Sequence, residues 1–220
     1  MKISVVIPLY NKRDTVFRAL DSVFNQKFQP LEVIVVNDGS TDGSDLVVAE
    51  LRNPLIRMIS QRNEGVSAAR NRGIHAANGD WIAFLDADDE WLPNFLRTIK
   101  SLHYNYFQSE VLATSYYLQN QQDNRKQIVL KKIPFLGQDG ILSNYFEVAA
   151  NSEPPIHSSS VVIKKLALQE IGGFPVEINS GEDLITWSRL AVKYEIAYSI
   201  SAMSVFHKEA NAAFRLPQLP

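Results

Sequence analysis

Three carboxylates, Asp86, Asp88 and Asp89, fall within four residues in the stretch FLDADDEW at 84–91, and Glu90 follows directly. Charges of one sign packed that closely repel one another and add nothing to an apolar core. They can, however, hold a hard divalent cation, and a cation held in that way meets phosphate oxygens that the carboxylates themselves repel. A second acidic pair, Glu182-Asp183, follows Gly181 at the start of GEDLITWSRLAVKY. Two acids there suit a helix N-terminus and also sit on a rigid platform.

Other uses of the first cluster are weaker. A calcium loop of the EF-hand type needs glycine at its sixth place and glutamate at its twelfth. Counting from Asp86, Trp91 stands at the sixth place; counting from Asp38 in DGSTDG, Ala49 stands at the twelfth. Asp89 and Glu90 are expected to serve only as acids ahead of a helix with Pro93 in its first turn. That account does not reach Asp86, which directly follows an apolar run.

The elements that must carry these residues are legible as apolar patterns. ISVVIPL (3–9) and LEVIVVN (31–37) read as buried strands of a parallel sheet, and further strands are expected around 56–60 and over 81–86. Between them lie a helix capped by Asp14 with Val16, Leu20, Val23 and Phe24 on one face, a second after Ser44, and a third over about 66–77. Four alternations of strand and helix predict an α/β sheet with right-handed crossovers. The later half is mixed: strands at 111–118 and 128–133 flank the polar stretch QNQQDNRKQ, and another strand is expected at 157–163. A short helix stops at Gly172-Gly173 and a longer one starts after Gly181.

Open sheets of this kind bind ligands outside the carboxyl ends of their strands. Tyr10 and Asn11, Asp38, Asn63, and Asp86 with Asp88 collect there, after four successive strands. The first turn, PLYNKRDT, has no glycine, so it lacks the backbone cradle of a dinucleotide-binding turn. A nucleotide bound here needs its phosphate charge met by a metal on the carboxylates instead.

Composition narrows the class. The chain has 220 residues, 45% hydrophobic and 21% charged, with a formal net charge of -2, so no basic field argues for nucleic acid. Cysteine is absent, which excludes disulfides and thiolate metal sites. The first residues lack a signal-peptide pattern, and no apolar run approaches the ~20 residues of a membrane span. The expectation is a cytoplasmic protein, with room for peripheral contact at the inner face of the membrane.

Taken together, SVVIPLYN (4–11), VIVVNDGSTDGS (33–44), NEGVSAARNRGI (63–74), GDWIAFLDADDEW (79–91) and GEDLITWSRLA (181–191) stand in the order of a known family. The chain resembles the inverting glycosyltransferases of family 2, which have the GT-A fold, a mostly parallel central sheet flanked by helices. The resemblance implies one domain over residues 1–220, with 1–108 as the donor half and 109–220 as the acceptor half. It implies that Asp38 hydrogen-bonds the nucleotide base, that Pro8 and Tyr10 line the base pocket, and that Arg70 lies near base and ribose. Asn63 either contacts the nucleotide or orders its loop. Asp86-Ala87-Asp88 matches the D-x-D motif: Asp86 faces ribose or metal-bound water, and Asp88 ligates Mg²⁺ or Mn²⁺ on the donor diphosphate. His207 matches a histidine that completes this metal site. Glu182-Asp183 matches the acceptor-site motif, with Asp183 as catalytic base and Glu182 orienting acceptor or loop.

The implied activity is metal-dependent, inverting transfer from a nucleotide-sugar, UDP-sugars first, to a saccharide or lipid-linked saccharide. The Q-x-x-R-W motif and membrane helices of processive synthases are absent from this sequence, which favours single transfer. Only 13 residues follow His207, so either the enzyme is minimal or a part that shapes acceptor choice is missing; the segment from Lys208 onward is expected to be mobile until ligand orders it. Two rival readings remain: a non-catalytic nucleotide-sugar-binding relative, and a sugar nucleotidyltransferase, whose Gly-rich basic loop Lys12 and Arg13 alone do not supply. His157 is left without a role, and His75 and His103 are expected on helix surfaces.

Overall fold

A computed structural model describes residues 1–120, 124–178 and 180–208, so the segment expected to close after His207 lies almost wholly outside the described residues. The first half runs β1 (Ile3–Leu9), α1 (Val16–Phe24), β2 (Glu32–Asp38), α2 (Ser44–Glu50), β3 (Ile56–Gln61), α3 (Val66–Ala76) and β4 (Trp81–Phe84). The rest comprises β5 (Glu90–Trp91), α4 (Phe95–Asn105), β6 (Val111–Gln119), β7 (Arg125–Gln127), β8 (Asp139–Ile141) and α5 (Tyr145–Asn151). A 3₁₀ turn (Ser158–Ser160), β9 (Val161–Lys164), α6 (Lys165–Glu170), α7 (Glu182–Lys193) and β10 (Ile196–His207) complete it.

Among the described residues one sheet has the path β3-β2-β1-β4-β9-β6-β10-β5, with β7 on β6 and β8 on β10. β3, β2, β1 and β4 are mutually parallel. β9 is inserted antiparallel to β4 and β6, after which β6 and β10 run parallel again. The expected mostly parallel α/β sheet is the one observed.

Alternation along β1 divides the core. Val5 and Ile7 pack on one face with Val16, Leu20 and Val23 of α1 and Phe95 and Ile99 of α4. Val6 points to the other face, with Ala69 and Ile74 of α3 and Trp187 and Leu190 of α7. All of β1 is buried, which is why its sequence is a continuous apolar run and not an alternating one. Helix α3 approaches β1 so closely that a Cβ on Gly73 would lie 2.3 Å from Val6 Cγ1. That approach sets the depth at which Arg70, one turn earlier, enters the sheet's carboxyl edge.

Several expectations are corrected. Asp14 does not cap α1; the N-cap is Thr15, without a side-chain bond. The later hairpin strand falls at Arg125–Gln127 and not at 128–133, pairing Tyr117 with Gln127 and Gln119 with Arg125. The apolar residues that suggested a strand are used for cover instead: Ile128 is buried, and Leu130 and Ile133 pack on the second core. Of the strand expected at 157–163, the first part is the 3₁₀ turn. Asp89 and Glu90 do not decorate a helix start. Glu90 and Trp91 form β5, paired with Val205 and Ser204 of β10, and α4 begins only at Phe95. The strand pairing and the burial of Trp91, whose Nε1 donates to Ser159 O at 2.8 Å, outweigh the local helix signal. His75 is exposed as expected, whereas His103 is half-buried edge-on to Trp81 at 5.0 Å. No helix among the described residues is long and apolar enough to cross a membrane.

Candidate functional site

At the carboxyl ends of β1, β2 and β4 and the start of α3 lies a cleft of about 300 Å³. Pro8, Tyr10, Asp38, Asn63, Arg70, Asp86 and Asp88, each singled out in the sequence, line it together with Lys12. Tyr10 keeps 47% of its surface exposed and offers an aromatic face beside Pro8.

The first and second loops are zipped together and hold this edge rigid. Thr41 N donates to Asn11 Oδ1 at 2.9 Å, Arg13 N to Asp42 Oδ2 at 3.0 Å, and Lys12 N to Ser44 Oγ at 2.9 Å. Gly39, at φ +74°, lets the second loop approach the third, since a Cβ there would lie 2.9 Å from Asn63 N. Asp38 is buried and accepts from Gln61 Nε2 (2.8 Å), Glu64 N (2.9 Å) and Gly65 N (2.9 Å). A carboxylate has about four acceptor sites, so Asp38 retains room for about one further donor.

Arg70 is the hinge of the charge arrangement. Its guanidinium is buried, donates through Nη2 to Asp86 Oδ1 at 2.8 Å and through Nη1 to Glu182 Oε1 at 3.0 Å, and lies over the Phe174 ring at 5.1 Å. Burial alone would lower its pKa, but Asp86 and Glu182 outweigh that and hold it firmly charged. Burial likewise works to raise the Asp86 pKa, and the Arg70 cation, helped by Lys12, overcomes it and keeps the carboxyl below its ordinary value. Arg70 was expected beside base and ribose. It lines the cleft and at the same time joins Asp86 to Glu182.

Asp88 faces Lys12, whose Nζ lies 2.6 Å from Oδ2, and its carbonyl accepts from Arg18 Nη2. Behind the D-x-D turn, Asp89 is fully buried; it accepts from Ser159 Oγ at 2.5 Å and from His207 N at 3.1 Å. Burial, then repulsion from Asp86 and Asp88, pushes its pKa well above the usual carboxylate range, only partly offset by those two bonds. His157 accepts from Ser159 N at 3.3 Å through Nδ1 and stacks on Phe206 at 4.4 Å. Burial lowers its pKa despite Asp86 and Asp183 nearby, so the imidazole favours its neutral form.

Ligand atoms of Asp86, Asp89 and His157 all lie within 4.8 Å of one another. Carboxylate oxygens, with Asp86 and Asp88 both partly open to the cleft, fit a hard Mg²⁺ or Mn²⁺, and a neutral imidazole is compatible with them. His207, expected as a metal ligand, places Nε2 3.5 Å from Glu90 Oε1, while its main chain holds Asp89. The imidazole beside Glu90 outweighs the opposing effect of burial and keeps that carboxyl below its usual pKa.

Glu182 and Asp183 open α7 after Gly181, at φ +81°. Glu182 is buried and committed to Arg70. Asp183 is half-buried, accepts from Leu184 N at 2.8 Å, and its charge is felt at Arg70, His157, Tyr116 and Tyr145. The second acidic pair is thereby brought beside the first, with Arg70 between them. Lys12, Asp89 and Ser159 are the parts that sequence reasoning missed. The run HSSS ahead of an apolar strand was the available signal for the last; Asp89 stood in the acidic cluster but was assigned to a helix start, and nothing local marked Lys12.

A model of the family described as Glycosyl transferase family 2 matches residues 4–151. An uncharacterized glycosyltransferase of Escherichia coli K12, YibD, is 44% identical over 103 residues, 46% of this chain and 30% of that protein. An uncharacterized glycosyltransferase of Rickettsia felis is 34% identical over 197 residues, 89% of this chain and 31% of its own. The chain thus spans about a third of the length of these relatives. Among solved structures, Staphylococcus aureus TarS 1-349 in complex with UDP-GlcNAc matches with a TM-score of 0.74 at 23% identity, covering 95% of this chain and 59% of that one. At that identity the likeness speaks of the fold.

Proposed function

We propose that this chain, which belongs to glycosyltransferase family 2 and has the GT-A fold, transfers a sugar with inversion from a nucleotide-sugar donor to a saccharide or lipid-linked saccharide. The observation that carries this reading is the single cleft that gathers Pro8, Tyr10, Asp38, Asn63, Arg70, Asp86 and Asp88. UDP-sugars are the first candidates, because Asp38 retains acceptor capacity for a base N–H and because TarS, of the same fold, holds UDP-GlcNAc.

In this reading Tyr10 and Pro8 flank the base, and Asp38 accepts its N–H. Asp86 and Asp88 would hold Mg²⁺ or Mn²⁺, which offsets the charge that builds on the departing diphosphate. Asp183 takes the proton of the acceptor hydroxyl as its oxygen bonds to the anomeric carbon. The bond from that carbon to the diphosphate breaks on the opposite face, which inverts the configuration. Glu182 keeps the start of α7 in register with the cleft through Arg70. Residues 1–108 then act as the donor half and 109–220 as the acceptor half of one domain, and each encounter transfers one sugar.

A panel of UDP-, GDP- and dTDP-sugars with Mg²⁺, read by thermal shift and calorimetry, tests the donor. A ligand that binds only the folded protein raises its melting temperature with the logarithm of its concentration over Kd. Stabilisation by a nucleotide-sugar only with metal is expected; no response to any member rejects the donor reading. Binding without transfer to any acceptor supports the non-catalytic rival.

A further inference from the structure

Lys12 stands at a fixed point of the cleft wall. Its N–H donates to Ser44 Oγ at 2.9 Å, and its carbonyl accepts from Thr15 N at 3.2 Å and Val16 N at 2.9 Å, so its main chain is pinned on both sides. From that point the side chain lines the cleft and places Nζ 2.6 Å from Asp88 Oδ2. Six residues further on, Arg18 in the first turn of α1 holds the Asp88 carbonyl. The loop before α1 and the first turn of that helix therefore grip, respectively, the carboxylate and the main chain of the residue expected to bind metal.

An ammonium and a divalent ion cannot both sit on the same carboxylate oxygen, because like charges at such separations repel strongly. A metal that takes Asp88 must first move the ammonium away. Lys12 cannot travel far with its main chain pinned, and its four-carbon stem keeps Nζ within the cleft. The new anion brought into that cleft by a metal-bound donor is the diphosphate. An ammonium is a competent phosphate partner as a point charge, without the fork geometry of arginine.

We propose that Lys12 is a switching cation of the donor cleft: it neutralises Asp88 when no ion is bound and passes to the donor diphosphate when the ion takes the carboxylate. The proposal rests on the donor reading above and adds a residue and an order to it. Metal alone meets a competitor at Asp88, whereas metal together with a nucleoside diphosphate gives the displaced ammonium a new partner. Binding of the two is thereby coupled, each strengthening the other.

The test uses Mn²⁺ alone, followed by electron paramagnetic resonance, and UDP with Mg²⁺, followed by calorimetry, on wild type, Lys12→Met and Lys12→Arg. Lys12→Met should bind Mn²⁺ alone about tenfold more tightly and UDP with Mg²⁺ about tenfold more weakly, the scale of one charged hydrogen bond. Lys12→Arg, which keeps the charge, should stay near wild type for UDP. In an Asp88→Ala background the gain in Mn²⁺ affinity from Lys12→Met should vanish, which localises the competition. Unchanged Mn²⁺ affinity or unchanged UDP affinity in Lys12→Met overturns the proposal. Wild type that binds no nucleoside diphosphate defeats the donor reading itself; wild type that binds while Lys12→Met binds equally defeats this proposal alone.

Discussion

Arg70 donates to Glu182 at 3.0 Å although the two residues are 112 positions apart, and its other terminal nitrogen holds Asp86 at 2.8 Å. One buried guanidinium therefore joins the D-x-D turn to the start of the helix that carries Asp183. The expected donor-side and acceptor-side acids share a counter-ion.

Removing that counter-ion should be costly. Arg70→Met leaves two buried or half-buried carboxylates facing each other, and loss of one partner from a buried ion pair costs about 3–5 kcal/mol. Urea unfolding should show a loss on that scale, and Glu182→Gln, which keeps an acceptor for Nη1, should lose less. The pH dependence follows from the lowered Asp86 pKa: its contribution to stability is full above the unfolded carboxylate range and fades as pH falls below it. Arg70→Met should flatten that acid-side loss. Equal unfolding midpoints for wild type and Arg70→Met would contradict the bridge.

Asp88 reaches the cleft without entering the core, so Asp88→Ala should fold and yet lose metal-dependent binding of a nucleoside diphosphate. Asp86→Ala should weaken donor binding less but destabilise more, because Asp86 is a partner of Arg70. Calorimetry and thermal melting on the pair separate the two roles. Donor affinity unchanged in Asp88→Ala would remove the metal bridge.

Asp183→Asn keeps shape and polarity but cannot take the acceptor's proton. Turnover should fall by about 10²-fold or more, with donor affinity nearly unchanged. Turnover close to wild type would place the base elsewhere. Glu182, the neighbouring acid, is already committed to Arg70.

Gly73→Ala inserts a methyl into a space where it would lie 2.3 Å from Val6 Cγ1, between two rigid elements. Overpacking of this kind costs about 1–3 kcal/mol. Because α3 also carries Arg70, the melting temperature and the donor affinity should fall together. A melting temperature equal to wild type would mean that α3 shifts off β1 without penalty.

How much of this was legible in the sequence depends on how local each feature is. The parallel strands were readable because burial on both faces requires an unbroken apolar run, and ISVVIPL and LEVIVVN supply it within a few residues. The cleft was readable because α/β sheets put their loops on one edge, so polar residues after successive strands must meet: Tyr10, Asp38, Asn63, Asp86 and Asp88 do. Patterns confined to one segment carried that much.

Tertiary structure decided which of several locally sound options each side chain took. Asp89 and Glu90 suited a helix start, but pairing with β10 drew them into β5, and the chain at His207 covers Asp89 from 118 positions away. Lys12 looked like loop charge until Asp88 was folded to within 2.6 Å of it. The resemblance placed Arg70 near base and ribose, and nothing in its own segment named its carboxylate partners. Only packing of α3 on β1, permitted by Gly73, and of α7 beside it made the residue a buried bridge. A charge's partner is set by three-dimensional proximity and by the loss of water around it, and neither is a property of the residues adjacent to it in the chain.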